Sequence, residues 1–387
     1  MSTATYPVTR EAAGDAPPAG NRRALAFLSN LDFPLLAVAV VLGVIGLVSL
    51  QGAVSGVPRL EAAIPRHAVF LVIAGGVMLV TMSVDYRWLN RAAMMLYAAN
   101  LALLVIVLFA GTRVNDATRW LQVGPISFQP SETMKIATVL VCAQWLALRP
   151  EALHEWKGVF IPGVLCGLPA LLVLVQPDLG TASLFFVMFL AMMLMAGVPK
   201  RRLAVIVSGI VLGFACCYPF LKPYQQARLQ TFLNPESDPM GAGYNIIQSQ
   251  VAIGSGGWFG RGWGEGTQGT HRFLPEHHTD FIFASYVEQF GFVGGAVLLA
   301  LFLFVILRMV RAMDLARDRF GGIVVAGLLA VFAFHVLFNV GMTMGVLPVT
   351  GLPLPFMSYG GSFLVSTFAL IGIVLNVASR RFTFVGP

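Results

Sequence analysis

Apolar residues in this chain gather into long runs with few polar interruptions, and the polar residues gather between them. A helix needs about 20 mostly apolar residues to cross a bilayer. Ten runs meet that length, at 31–51, 67–84, 93–111, 132–148, 158–175, 181–198, 203–221, 281–308, 321–341 and 361–379. The pattern predicts an all-α polytopic membrane protein, a single transmembrane domain over 31–380 with about ten spanning helices. Residues 1–30, with Gly14, Pro17, Pro18, Gly20 and scattered charge, read as a disordered cytoplasmic tail. The long segment 222–280, between the seventh and eighth runs, reads as one large extracytoplasmic loop.

Composition agrees. Of 387 residues, 57% are hydrophobic and only 11% charged, against about 25% charged in soluble domains. Too little polar surface exists to coat a water-soluble globule, which excludes a cytosolic enzyme, a secreted domain and a nucleic-acid binder. Cys142, Cys166, Cys216 and Cys217 lie in apolar runs without a CxxC spacing, so they read as packing residues. The net charge of +7 resolves by position. With the N-terminus inside, the inside segments hold 16 Lys and Arg and the outside segments 8. Cytoplasmic loops retain basic residues, so both termini are expected inside and the long loop outside.

Charge within the hydrocarbon is costly and marks a cavity or a partner. Glu132 and Lys135 stand three apart near the outer end of the fourth run, on one helix face. They are either a self-neutralising pair or a wall of a substrate cavity. Glu288 lies in the eighth run, and His335 with Asn339 forms an i, i+4 polar pair in the ninth. Interhelical hydrogen bonding explains His335 better than metal binding, because no second ligand motif accompanies it.

The outer loop carries the densest chemistry. GSGGWFGRGWGEGTQG at 254–269 holds eight glycines. Its GEGTQG formally fits G-x-G-x-x-G, but no strand precedes it and no helix follows, so a dinucleotide site is rejected. The glycines instead permit a tight, irregular backbone near the membrane surface, where Trp258, Phe259 and Trp263 suit an interfacial aromatic belt. Next comes Glu276-His277-His278-Thr279-Asp280, which lacks the H-E-x-x-H order of a helical metal site. Asp280 stands where the loop enters the membrane. It is either a general base, poised between a helix N-terminus and hydrocarbon, or an N-cap. The segment 342–360 has no charge, three prolines and three glycines. It cannot be a continuous helix, yet it is too apolar for a solvated loop. A partly re-entrant wall is expected, with Ser358 and Tyr359 as its polar handles.

Five stretches carry a resemblance: FQPSETMKIA (128–137), QPDLGTA (176–182), YNIIQSQVAIGSGGWFGRGW (244–263), FLPEHHTDFIF (273–283) and GMTMGVLPVTGLPLPFMSYGGS (341–362). On these the chain resembles the SEDS family of shape, elongation, division and sporulation proteins, from the first run to the last. Gly266-Thr267-Gln268 favours its elongation branch. The resemblance implies a membrane glycosyltransferase that polymerises lipid II into peptidoglycan strands on the outer face. Its implied partners are a class B penicillin-binding protein and other membrane proteins of the elongation machinery. The family's essential aspartate falls on Asp280, its fourth-span charges on Glu132 and Lys135, its Arg-Trp on Arg119 and Trp120, and its SYGG serine on Ser358. Where the family often has a carboxylate eight residues before the aspartate, this chain has Arg272; Glu276 or Glu265 are candidate substitutes. Arg119, Lys135 or a divalent cation (magnesium or manganese) would face the leaving pyrophosphate, with no metal ligands assigned. Glu132, Glu276, Ser358 and Tyr359 complete the expected substrate-binding set. The rival readings are a lipid II flippase and a non-catalytic scaffold for the transpeptidase.

Overall fold

A computed structural model describes residues 29–54, 62–114, 117–124, 126–217, 226, 230–234, 242–266 and 278–380. Residues 1–28 of the predicted tail, Glu276 and Arg272 lie outside the described residues. Each of the ten predicted runs is a helix: α1 Phe33–Val54, α2 Ala63–Ser83, α3 Tyr86–Ala110, α4 Pro130–Leu148, α5 Lys157–Val175, α6 Leu179–Ala196, α7 Lys200–Cys217, α9 Ile282–Asp314, α10 Arg319–Thr343 and α11 Gly361–Ser379. Among the described residues, eight are long and apolar enough to cross a membrane on length and composition alone. The other two, α4 and α7, begin with polar turns that carry Glu132 and Lys135, and Lys200-Arg201-Arg202.

Two features were not predicted. A three-stranded antiparallel sheet, β1 Thr112–Val114, β2 Ala117–Val123 and β3 Ile126–Phe128, joins α3 to α4. Two of its strands have three residues, too few for period-two alternation to be read. A further helix, α8 Ala242–Ser255, lies within the long loop and packs on α9 and α10.

The centre of the bundle is α11, buried along almost its whole length, flanked by α10. A helix that is apolar all round belongs in such a place. Small residues let α11 approach α2: a side chain at Gly372 would stand 2.6 Å from the Met78 carbonyl oxygen. One turn on, buried Asn376 donates to the carbonyls of Thr81 (3.0 Å), Met82 (2.8 Å) and Val84, and accepts from the Tyr86 amide. This one amide satisfies the backbone where α2 turns into α3. Asp32 receives Arg308 through two nitrogens, at 2.9 Å and 2.7 Å, and ties α1 to the far end of α9.

The glycine-rich segment folds as expected, and its reason is visible. Helix α9 breaks at Gly291 (φ 70°). The opened backbone takes hydrogen bonds from the segment: Arg261 N to Glu288 O (2.9 Å) and Gly262 N to Gln289 O (3.2 Å), with Phe292 N to Gly257 O (2.8 Å) in return. Side chains at Gly256 and Gly260 would lie 2.3 Å and 2.0 Å from backbone oxygens of α9, so only glycine fits. Trp258, Phe259 and Trp263 stay exposed, and the Trp263 indole donates to Val48 O (3.0 Å).

With ten helices running alternately up and down, α2, α4, α6, α9 and α11 all begin at one end. That end gathers His67, Glu132, Asp178, Asp280 and Ser358–Tyr359.

Candidate functional site

The non-helical segment between α10 and α11 organises this end. Leu352, Leu354, Phe356, Met357 and Ser358 are buried, so the segment is a wall packed inside the protein. Phe356 holds φ 65°, a conformation a bulky residue adopts only where packing over-determines it. Gly46 of α1 makes the approach possible, since a side chain there would stand 2.3 Å from Phe356 O.

Asp280 precedes α9, whose cap position is taken by Phe281. Two brackets hold the Asp280 backbone to the wall. Asn339 Nδ2 donates to Asp280 O and to Leu352 O, both at 2.8 Å. Ser358 Oγ donates to Thr279 O (2.6 Å) and accepts from Leu354 N (2.8 Å). Tyr359 N donates to His278 O (3.0 Å). The Asp280 carboxylate faces Gly351, where a side chain would lie 3.2 Å from Oδ2.

Lys135 is buried. Its ammonium lies 2.8 Å from Glu132 Oε2 and 3.1 Å from His335 Nε2. It also sits over the Phe363 ring at 5.5 Å. Ser366 Oγ donates to Glu132 Oε2 (3.1 Å). His335 Nδ1 is 3.0 Å from Pro353 O. The imidazole that accepts from Lys135 through Nε2 therefore donates from Nδ1 to the wall, which fixes its tautomer. Glu132, Lys135, His335, Pro355, Phe363 and Ser366 enclose a cavity of about 20 Å³, room for about one water. His335 thus bonds between helices and to the wall, as the i, i+4 pairing with Asn339 suggested.

Arg119 is on β2. It donates from Nε to Gln176 O (3.0 Å) and from Nη2 to Pro177 O, with Nη1 3.6 Å from Asp178 Oδ2. Asp178 caps α6, accepting from the Thr181 amide and hydroxyl, both at 3.0 Å. Gly180 then packs on Thr350 O and Leu352. Arg119, Asp178, the wall and Asp280 are thereby consecutive members of one packed chain, with Lys135 and Glu132 on the other side of the wall through His335. Trp120 pairs with Thr112 across the sheet.

Sequence reasoning missed Ser366, Asp178 and His67. Asp178 shows the signal already used for Asp280, a carboxylate just before an apolar run. Ser366 has no local signal; only packing places it on Glu132. Among the described residues no three carboxylate, imidazole or thiol groups come together to hold a metal ion.

Against known proteins, the family profile described as "Cell cycle protein" (FtsW, RodA and SpoVE) matches residues 29–382. The chain belongs to the FtsW/RodA/SpoVE family. It is 40% identical over 354 residues to the peptidoglycan glycosyltransferase MrdB of Escherichia coli (strain K12), covering 91% of this chain and 94% of that protein. It is 33% identical over 430 residues to the peptidoglycan glycosyltransferase RodA of Treponema pallidum, covering 92% and 99%. A chain of a solved peptidoglycan synthase complex that coordinates polymerization and crosslinking superposes with TM-score 0.79 at 32% identity, covering 91% of this chain and 98% of that one. The rod shape determining protein RodA of Thermus thermophilus superposes with TM-score 0.69 at 29% identity, covering 91% and 98%. The fold is therefore that of the FtsW/RodA/SpoVE family, a multi-pass membrane protein.

Proposed function

We propose that this chain is a peptidoglycan glycosyltransferase of cell elongation that polymerises lipid II at the outer face of the bacterial inner membrane. Both termini are cytoplasmic in this reading. The observation that carries it is the setting of Asp280: a carboxylate just before α9, its own carbonyl held by Asn339, that of Thr279 held by Ser358, and its Oδ2 facing Gly351.

Asp280 takes the proton from the 4-hydroxyl of the acceptor GlcNAc. That oxygen bonds to C1 of the donor's terminal MurNAc and inverts it, while the C1–O bond to undecaprenyl pyrophosphate breaks and the pyrophosphate leaves with the electron pair. Arg119 is the cation assigned to that pyrophosphate, because its side chain is 24% exposed and, among the described residues, a single carboxylate pairs with it, at 3.6 Å. Lys135 and Glu132, at 3% and 4%, act from beneath by setting the wall through His335. Ser358 positions Asp280, and Tyr359 borders the substrate head. A class B penicillin-binding protein cross-links the product, a pairing supported by the synthase-complex neighbour.

The test is glycan polymerisation from lipid II by the purified chain with its transpeptidase, in detergent. Wild type is expected to make polymer and Asp280→Ala none, with the variant's thermal unfolding unchanged. An Asp280→Ala protein as active as wild type overturns the base assignment. Labelled lipid II that crosses vesicles without forming polymer supports a flippase instead.

A further inference from the structure

Helix α5 turns Phe160, Gly163, Gly167 and Leu171, spaced three or four apart, to a groove that Phe185 and Phe189 of α6 and Ile206 of α7 line as well. The groove is almost wholly apolar and has a volume of about 700 Å³, within the roughly 300–1,000 Å³ of ligand pockets. It is open on one side, where Phe160 and Leu171 are exposed. The two glycines are pits in it. A side chain at Gly167 would meet nothing within 4 Å, and one at Gly163 only the Phe189 ring at 4.0 Å, so helix packing requires neither glycine. The α5 stripe leads to the site proposed above. Its outermost groove residue, Leu171, lies five residues before Gln176, about 8 Å along the helix axis. Leu174 and Val175 continue the spacing and are both exposed. The turn that follows is the one whose carbonyls, on Gln176 and Pro177, hold Arg119.

We infer that the groove between α5, α6 and α7 seats the polyprenyl tail of the donor lipid, whose pyrophosphate stands at Arg119. The inference rests on the function proposed above. Apolarity alone does not select a tail, because bilayer chains are as apolar as the groove. Two features do. Arg119 stands at the outer end of the two helices that supply most of the lining, so a head held there leads its own tail onto the stripe. The pits at Gly163 and Gly167 suit a chain with a methyl branch on every unit. An unbranched acyl chain leaves them as voids and forfeits the dispersion contacts of their lining. A seated tail also fixes the position of the pyrophosphate, and with it the donor carbon that is attacked.

The experiment measures KM for undecaprenyl lipid II and for its geranyl analogue, whose tail ends above Gly167, using the full chain with its transpeptidase in detergent. Micelles take up each substrate alike for every protein, so the ratio of variant to wild type isolates the groove. Gly167→Phe fills the groove from open space and is expected to melt at or above the wild-type temperature, because a glycine leaves a helix interior. It is expected to raise KM for undecaprenyl lipid II about fivefold, roughly 1 kcal/mol, and to hold KM for the geranyl analogue within about twofold. A folded variant with unchanged KM for undecaprenyl lipid II overturns the inference, and so does an equal rise for both substrates. If Gly167→Phe does not fold, wild type is photolabelled with undecaprenyl lipid II that carries a diazirine in its tail. Adducts concentrated on 160–171 and 185–189 are expected; adducts no denser there than those of a diazirine phospholipid show a groove filled by bulk lipid and overturn the inference. Wild type that polymerises beside an unaffected Gly167→Phe defeats the inference alone. Wild type that makes no polymer yet takes the groove adducts defeats the proposed catalysis and leaves the tail seat standing.

Discussion

The Glu132–Lys135 pair gives the sharpest test of how this membrane interior tolerates charge. Replacing Lys135 by Met keeps the length of the side chain and removes the ammonium. Glu132, 4% exposed, then keeps only the Ser366 hydroxyl at 3.1 Å among the partners described for it. Removing one partner of a buried ion pair costs about 3–5 kcal/mol, because the other charge is stranded. The bond to His335 Nε2 is lost as well, which leaves a buried acceptor unpaired and adds to the same destabilisation. The Glu132→Gln, Lys135→Met double variant strands no charge. It is expected to lie within about 2 kcal/mol of wild type, below the cost of Lys135→Met alone, so the two positions should couple by more than about 1 kcal/mol. Reversible unfolding in mixed micelles, titrated with SDS, measures all four proteins. A Lys135→Met protein within about 1 kcal/mol of wild type, or strictly additive single effects, would refute the reasoning. The same proteins separate the pair's two roles. A double variant that is stable and polymerises makes the pair a neutraliser of membrane charge; one that is stable and inactive makes it part of the catalytic wall.

Three further outcomes follow from the packing. Gly260→Ala places a methyl group 2.0 Å from Gln289 O at φ 83°, so it should destabilise the packing on α9 by about 1–3 kcal/mol, read as faster proteolysis of the 254–266 segment. Asn376→Ala removes the donor to three carbonyls at the α2–α3 turn and should cost about 1–3 kcal/mol in the SDS titration. Arg119→Lys keeps the charge but loses the fork that reaches Gln176, Pro177 and Asp178 together. It should speed hydrogen exchange at 176–181 and lower kcat; unchanged exchange there would show that the fork does not order this turn.

The positions of the ten long helices were legible in the sequence because the bilayer imposes one local demand, an apolar run of sufficient length. The boundaries were less so: α3 begins at Tyr86 rather than 93, since Arg87, Asn90 and Arg91 fit the helix as well as the interface. That 342–360 is no continuous helix was equally local, written in its prolines and glycines. So was the rule that the 254–269 glycines make a tight backbone, which the described residues 254–266 follow. What that backbone serves, the break of α9 at Gly291, could not be read, because the contact joins residues about 30 apart that have no shared pattern.

The sequence by itself determined an all-helical membrane bundle and a short list of polar residues, because hydrophobic burial and backbone satisfaction in lipid act along the chain. It also placed Asp280, Lys135 and Glu132 on that list, and the family resemblance pointed to the same three. Only the tertiary structure decided who holds whom: Arg119 on the turn before α6, Ser366 on Glu132, and His335 and Asn339 bridging Lys135 and Asp280 to one wall. It alone exposed His67 as a buried imidazole with no hydrogen-bond partner among the described residues. Hydrogen bonds across 59, 200 and 234 residues depend on how five helix starts meet at one end of the bundle. Such bonds leave no periodicity in the chain, because each is satisfied in space by residues that are locally ordinary.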